Sequence, residues 1–119
     1  MSQLLLILAA VLGLAVAVIH GYLGQVRLIE PARFTGRVER GMVLAIWHFS
    51  AIAWGGSAFV FLFAALQLPE DERLGPVSLA CLPIAYGMIC NAWITRGRHF
   101  GWAALALVMA LALGGALTA

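Results

Sequence analysis

Four apolar stretches alternate with short polar segments along the chain: about Gln3 to Leu23, Met42 to Leu68, Leu74 to Thr95 and His99 to Thr118. A helix that crosses a bilayer needs about 20 mainly apolar residues, and each stretch approaches or exceeds that length. None shows the short polar–apolar alternation of a membrane β-barrel. The charges collect between the stretches, with Arg27, Glu30, Arg33, Arg37, Glu39 and Arg40 in one block, Glu70 to Arg73 in a second, and Arg96 with Arg98 in a third. The pattern predicts an all-α fold, a polytopic membrane protein built as a four-helix transmembrane bundle with short loops, in a single domain over residues 1–119. The segment PEDERLGP, bounded by Pro69 and Pro76, reads as a compact turn. TRGRH is tighter still and makes the third and fourth helices antiparallel neighbours. Pro83 removes a backbone donor in mid-span, which predicts a kink in the third helix. The first loop, GQVRLIEPARFTGRVERG, interleaves Leu28, Ile29, Phe34 and Val38 with arginines and predicts a segment lying on the lipid headgroups.

Composition sharpens this picture. The chain is 64% hydrophobic and 10% charged, with a mean hydropathy of +1.02, whereas soluble domains are about one quarter charged. All seven basic residues are arginine, a side chain suited to phosphate contacts such as lipid headgroups; an arginine-favouring codon usage accounts for the same bias. A net charge of +2 is too small to argue for nucleic acid and no basic-aromatic patch suggests it, so no nucleic-acid partner is expected. Cys81 and Cys90 fall on opposite sides of one helix in no metal-ligand spacing, and read as small apolar packing residues.

The arginines predict a sidedness. Arg27, Arg33, Arg37, Arg40, Arg96 and Arg98 share one face of the membrane, and Arg73 alone lies on the other, among three acids. The positive-inside rule then places both termini outside the cytoplasm of a bacterial inner (plasma) membrane. Trp47, Trp93 and Trp102 fall near the basic side, as interfacial aromatics do. Ala15-Val-Ala17 matches a signal-peptidase site. However, Met-Ser-Gln ahead of it lacks a positive charge and the apolar run continues to His20, so the stretch is expected to persist as a helix.

Two histidines interrupt the apolar pattern. His20 lies three residues from the end of the first stretch and His48 about six from the start of the second, in the same half of the bilayer. Ionisable residues at such depth are costly and mark functional sites. Each has a glycine seven residues deeper on its own helical face, Gly13 for His20 and Gly55 for His48, and seven residues rise about 10 Å. Facing small-residue grooves with opposed imidazoles are the geometry that a bis-histidine b-type haem requires. Trp54, Tyr22, Phe49 and Tyr86 are the candidate pocket lining, and Arg27 and Arg98 the candidate partners of the propionates. The same residues also read as ordinary packing: Ala9-Gly13-Ala17-Gly21 is a helix-packing seam, and a neutral histidine can hydrogen-bond across helices, for example to Asn91. His99, at the start of the fourth stretch, would complete a metal site with His20 and His48 if it turned inward.

The pattern His48-x5-Trp54-Gly55-Gly56 resembles a helix of the copper-resistance D family and, more loosely, the HemJ-type haem-associated membrane proteins. The resemblance covers one helix of four and departs by one residue from the usual Trp-x-Gly-Gly. It implies His48 as a ligand of haem or copper and carries nothing to the other helices. HGYLGQVRL with WHFSAIAW also resembles bacterial four-helix membrane proteins that have no assigned activity. Small multidrug transporters share the length and span number but use an acid in the first helix, and residues 4–26 contain none. No Ser-His-Asp set, P-loop or HExxH appears, so hydrolase and nucleotide readings lack residues to carry them. Three functions fit: a haem-binding membrane protein for electron transfer or ligand sensing, an accessory subunit or assembly factor without a cofactor, and a small transporter or metal carrier. The expected partners are the bilayer and either a larger membrane complex or further copies of the chain.

Overall fold

The computed structural model describes residues 1–118 and is all-helical among them. Helix α1 runs Ser2–Gly24 and continues as a π-helical turn over Gln25–Ile29, closed by the Glu30 N–H donating to the Gln25 carbonyl at 2.9 Å. Pro31 ends it, since it has no backbone N–H to continue the ladder, although Glu30 before it keeps helical φ and ψ of −62° and −45°. Helix α2 runs Arg37–Gln67, α3 Leu74–Ile94 and α4 Gly101–Leu117. In this up-down-up-down bundle α1 packs on α2 and α4, and α3 packs on the same two. The start of α1 and the end of α4 lie at one end of the bundle and the arginine-rich connections at the other: a β-carbon on Gly115 would approach the Ser2 carbonyl to 2.8 Å.

Several expected boundaries shift, for one physical reason. Hydropathy marks the apolar part of a helix, while the helix itself propagates into water through good helix formers such as Glu and Arg. Helix α2 therefore begins at Arg37 rather than Met42. Glu39 in its first turn accepts hydrogen bonds from the Thr35 N–H, at 2.9 Å, and from the Thr35 hydroxyl, fixing the start. The segment expected to lie on the headgroups shrinks accordingly to residues 30–36, and Ile29 is buried. The last helix begins at Gly101 rather than His99, because residues 95–100 form the turn. There Arg96 and Gly97 adopt φ of 52° and 74°, and the Gly97 N–H donates back to the Ala92 carbonyl at 2.8 Å, closing α3 in a Schellman-type cap. Asn91 Oδ1 accepts from the Trp102 N–H at 3.1 Å, so Asn91 caps α4 rather than meeting a histidine. Pro83 sits within a helix that remains unbroken from Leu74 to Ile94.

Three helices, Ser2–Ile29, Arg37–Gln67 and Leu74–Ile94, are long and apolar enough to cross a membrane, and α4 is a shorter apolar helix of 17 residues. The interior is narrow and built largely from small residues, with Leu6, Ala9, Phe61, Ala64, Val77, Ile84, Val108 and Ala112 sealed in it. Many larger apolar side chains, such as Val11, Val18, Ile52, Phe59, Leu79 and Trp93, face outward. Such a surface is stable where the surrounding solvent is hydrocarbon.

Arg73, expected as a loop charge on the far face, is buried. Its guanidinium donates to the carbonyls of Leu68 at 3.1 Å and Ala65 at 3.4 Å and to the Ser2 hydroxyl at 3.2 Å, and lies 3.5 Å from the Glu70 carboxylate. The Ser2 hydroxyl donates to Glu70 at 2.8 Å. A cation placed on the free carbonyls at a helix C-terminus is favoured by the helix dipole, and this one also ties the start of α1 to the end of α2.

The α1–α4 seam is backbone-tight. A β-carbon on Gly115 would meet Leu6 Cγ at 2.8 Å and the Leu6 nitrogen at 3.1 Å, whereas one on Gly114 meets only Leu5 Cδ1, at 3.9 Å. Gly115→Ala is expected to destabilise the detergent-solubilised protein by about 1–3 kcal/mol through overpacking. Gly114→Ala should change it by less than about 0.5 kcal/mol. Thermal unfolding midpoints check the pair, and equal midpoints would refute the close approach of α1 and α4.

Candidate functional site

Trp47 and Trp54 are seven residues apart on α2, hence on one face, with Ser50 between them. The His20 ring of α1 enters this gap. It stacks on Trp47 with centroids 4.2 Å apart and planes at 17°, and meets Trp54 at 4.2 Å and 44°. Both indole N–H groups find internal acceptors: Trp47 donates to the His20 carbonyl at 3.0 Å, and Trp54 to the Pro83 carbonyl of α3 at 3.1 Å. Two glycines make room for the indoles. A β-carbon on Gly24 would overlap the Trp47 ring, and one on Gly87 would come within 3.0 Å of Trp54 Nε1. Trp47, expected as an interfacial residue, is thus turned into the α1–α2 seam, while Trp93 is 81% exposed.

Proton bookkeeping fixes the state of His20. The Ser50 hydroxyl donates its single proton to the Trp47 carbonyl at 2.6 Å. It must therefore accept from His20 Nε2, 2.9 Å away, so that Nε2 carries hydrogen. With that nitrogen protonated and both ring faces contacted by indoles, His20 does not present Nε2 as a ligand.

His48 has a different setting. Its Nε2 lies 3.2 Å from Gln25 Oε1, and Gln25 Nε2 donates to Glu30 Oε1 at 3.2 Å. A carboxylate only accepts, so the amide end facing Glu30 is the donor and the end facing His48 is the oxygen; Nε2 of His48 therefore carries hydrogen as well. In the neutral ring its Nδ1, 4.0 Å from the point where a Gly21 β-carbon would stand, then keeps the lone pair. No hydrogen bond among the described residues engages it.

His48 lines a groove of about 570 Å³ between α1 and α2. Leu14, Val18, Tyr22 and Ile52 wall it, Ala17, Gly21, Ala51 and Gly55 floor it, and Gln25 and His48 form its polar end. Deeper along the same seam an apolar notch of about 80 Å³ shares Leu14 with the groove and reaches Phe59 and Leu62. The glycine floor matters here: nothing stands within 4 Å of a β-carbon built on Gly55.

The structure therefore brings together His48, Gly55 and Tyr22, but not the rest of the expected set. His20 and Trp54 pack with each other, outside the groove lining. Gly13 packs in the core, where its β-carbon would meet Ala58 Cβ and Val108 Cγ1 at 3.4 Å. Phe49 and Tyr86 face outward, and Arg27 and Arg98 are exposed and line no part of the groove. His99 stacks on Phe100 and accepts from the Gly101 N–H at 3.0 Å. Among the described residues no three histidine, cysteine or acidic side chains gather as a metal-ligand cluster. Gln25 and Ser50, which the sequence pattern does not single out, complete the two histidine environments together with Gly21 of the packing seam.

None of the protein-family models, curated proteins or solved structures compared with the chain matches it.

The contrast between the histidines has a direct consequence. His20→Leu leaves the Ser50 hydroxyl without its donor and breaks the aromatic stack, and is expected to cost about 1–3 kcal/mol. His48→Leu, at the edge of an open groove, should cost less than about 1 kcal/mol. Thermal midpoints in one detergent check this, and the reverse order would overturn the assignment of His20 as the structural residue.

Proposed function

We propose that this chain is a small multi-pass protein of a bacterial inner membrane that binds a bilayer-dissolved molecule in the α1–α2 groove. The observation that carries the reading is the shape and lining of the groove itself, open between α1 and α2, floored by glycine and ending at the His48 imidazole. Apolar walls with a few placed polar groups are the usual make-up of a ligand site. The continuation past Leu14 towards Phe59 and Leu62 favours an elongated occupant, head at His48 and tail deeper in the membrane. A haem held between both histidines has less support, because it requires His20 to leave Ser50 and two indoles. In this reading the arginine-rich connections lie in the cytoplasm and both termini outside it, by the asymmetry of six arginines to one. The buried Arg73 strengthens the argument, since its charge already serves the end of α2.

Binding is checked by titrating the ¹⁵N-labelled protein in micelles with para-dodecylphenol while following the amides of Ala51 and Gly55. Saturable shifts are expected in the wild type. They should disappear in Gly55→Leu, whose β-carbon has open space around it and whose side chain would occupy the groove. No saturable shift at these amides would overturn the groove reading.

Sidedness is checked separately. A reporter that is active only in the cytoplasm, fused after the last residue, is expected to stay silent, and one inserted between Arg33 and Thr35 to be active. The opposite pattern would invert the topology.

A further inference from the structure

We infer that the ligand of the α1–α2 groove carries a hydrogen-bond donor, a hydroxyl or phenol, at its polar end; this rests on the groove reading and adds the chemistry of the head. The inference comes from the direction of a hydrogen-bond chain. Glu30 accepts from Gln25 Nε2, Gln25 Oε1 accepts from His48, and so the only proton of a neutral His48 is held on Nε2. What remains for the groove is Nδ1, a pure acceptor. The chain also starts at a carboxylate, so each link polarises the next in one sense and raises the electron density at Nδ1. A carboxylate fixing a histidine's tautomer through its far nitrogen is the general way proteins set which end of the ring faces a ligand.

No side chain among the described residues bonds this nitrogen: Tyr22, the groove's one lining hydroxyl, makes no hydrogen bond to His48. Gly21 and Ala51 floor the groove beside the ring and carry no side-chain donor, and Ser50, the nearest hydroxyl in sequence, is committed to Trp47 and His20. An acceptor facing hydrocarbon without a donor is unfavourable. A ligand with an acceptor-only head, such as an ether or a ketone, leaves it so, and adds a second lone pair opposite the first. A ligand with an O–H satisfies it, and one good hydrogen bond is worth up to about tenfold in affinity.

The test compares para-dodecylphenol with its methyl ether, equal in tail and ring but differing in the donor. Two readouts are followed in the full-length protein in micelles. The amides of Ala51 and Gly55 report occupancy of the groove, and the ¹⁵N resonances of histidine, assigned to His48 through His48→Gln, report the head contact. The phenol is expected to bind about tenfold more tightly than the ether and to move the His48 Nδ1 resonance as it does so. Gln25→Leu releases the proton from Nε2 and should bring the two affinities together while both compounds still bind. Equal binding of phenol and ether to the wild type, with the His48 nitrogens unmoved, would overturn the donor inference and leave the groove reading standing. Failure of both compounds to shift Ala51 and Gly55 would remove the groove reading and the inference with it.

Discussion

The arrangement of the bundle hangs on one inserted ring. His20 enters between Trp47 and Trp54 and binds the hydroxyl of Ser50 that lies between them, so α1 meets α2 at one register. Sliding α1 by a single turn, about 5.4 Å, would lose both stacks and strand an indole N–H that has no water to turn to. Trp54 then carries the constraint onward, because its N–H reaches the Pro83 carbonyl and its ring occupies the space that Gly87 leaves on α3. One aromatic cluster thereby locates three helices. In hydrocarbon, where burial of apolar surface gives little drive for helices to associate, such close packing with satisfied polar groups is what holds a bundle together.

With that register set, the groove is its by-product on the other flank of the seam. Placing His20 against Trp54 puts Gly21 beside Ala51, with a β-carbon approach of 3.4 Å, and leaves Gly55 with nothing opposite it. The two histidines thus divide the labour that their symmetrical look in the sequence concealed. One, with its Nε2 proton donated inward, holds helices; the other, with its proton held towards the aqueous end, offers a lone pair to the groove.

How much of this was readable in advance follows from what hydropathy measures. It reports whether a segment prefers lipid or water, and so the helices, their number and the short connections were legible from the apolar stretches alone. The face carrying His48, Ala51 and Gly55 was legible too, since all three line the groove. Helix rotation was not, because in a lipid solvent it is set by partner helices rather than by an apolar–polar divide. The His20–Ala17–Gly13 stripe looked like a second groove wall. Gly13 instead serves contacts with both Ala58 of α2 and Val108 of α4, since α1 is gripped from two sides. Trp47 looked interfacial by position, and only the gap at Gly24 shows why it turns inward. Arg73 was legible as a charge but not as the cap of α2, a role that depends on Ser2 arriving from the far end of the chain.

The unequal helix lengths have a consequence for the membrane itself. Helix α2, with 31 residues, rises about 46 Å, well beyond an average hydrocarbon thickness. Helix α4, with 17 residues, rises about 26 Å, some 4 Å short of an average hydrocarbon thickness of about 30 Å. If α4 crosses the bilayer with the three longer helices, the bilayer dimples beside it or the helix is drawn inward, and thin membranes then suit the molecule better than thick ones. In a thick bilayer the pull falls first on the tight connection before α4, where Arg96 already holds a left-handed backbone that a residue with a side chain adopts only under constraint. Acyl-chain length is thus a mechanical variable acting on the α3–α4 end of the bundle, while the long α1–α2 pair, and the groove between them, remain spanned at any common thickness.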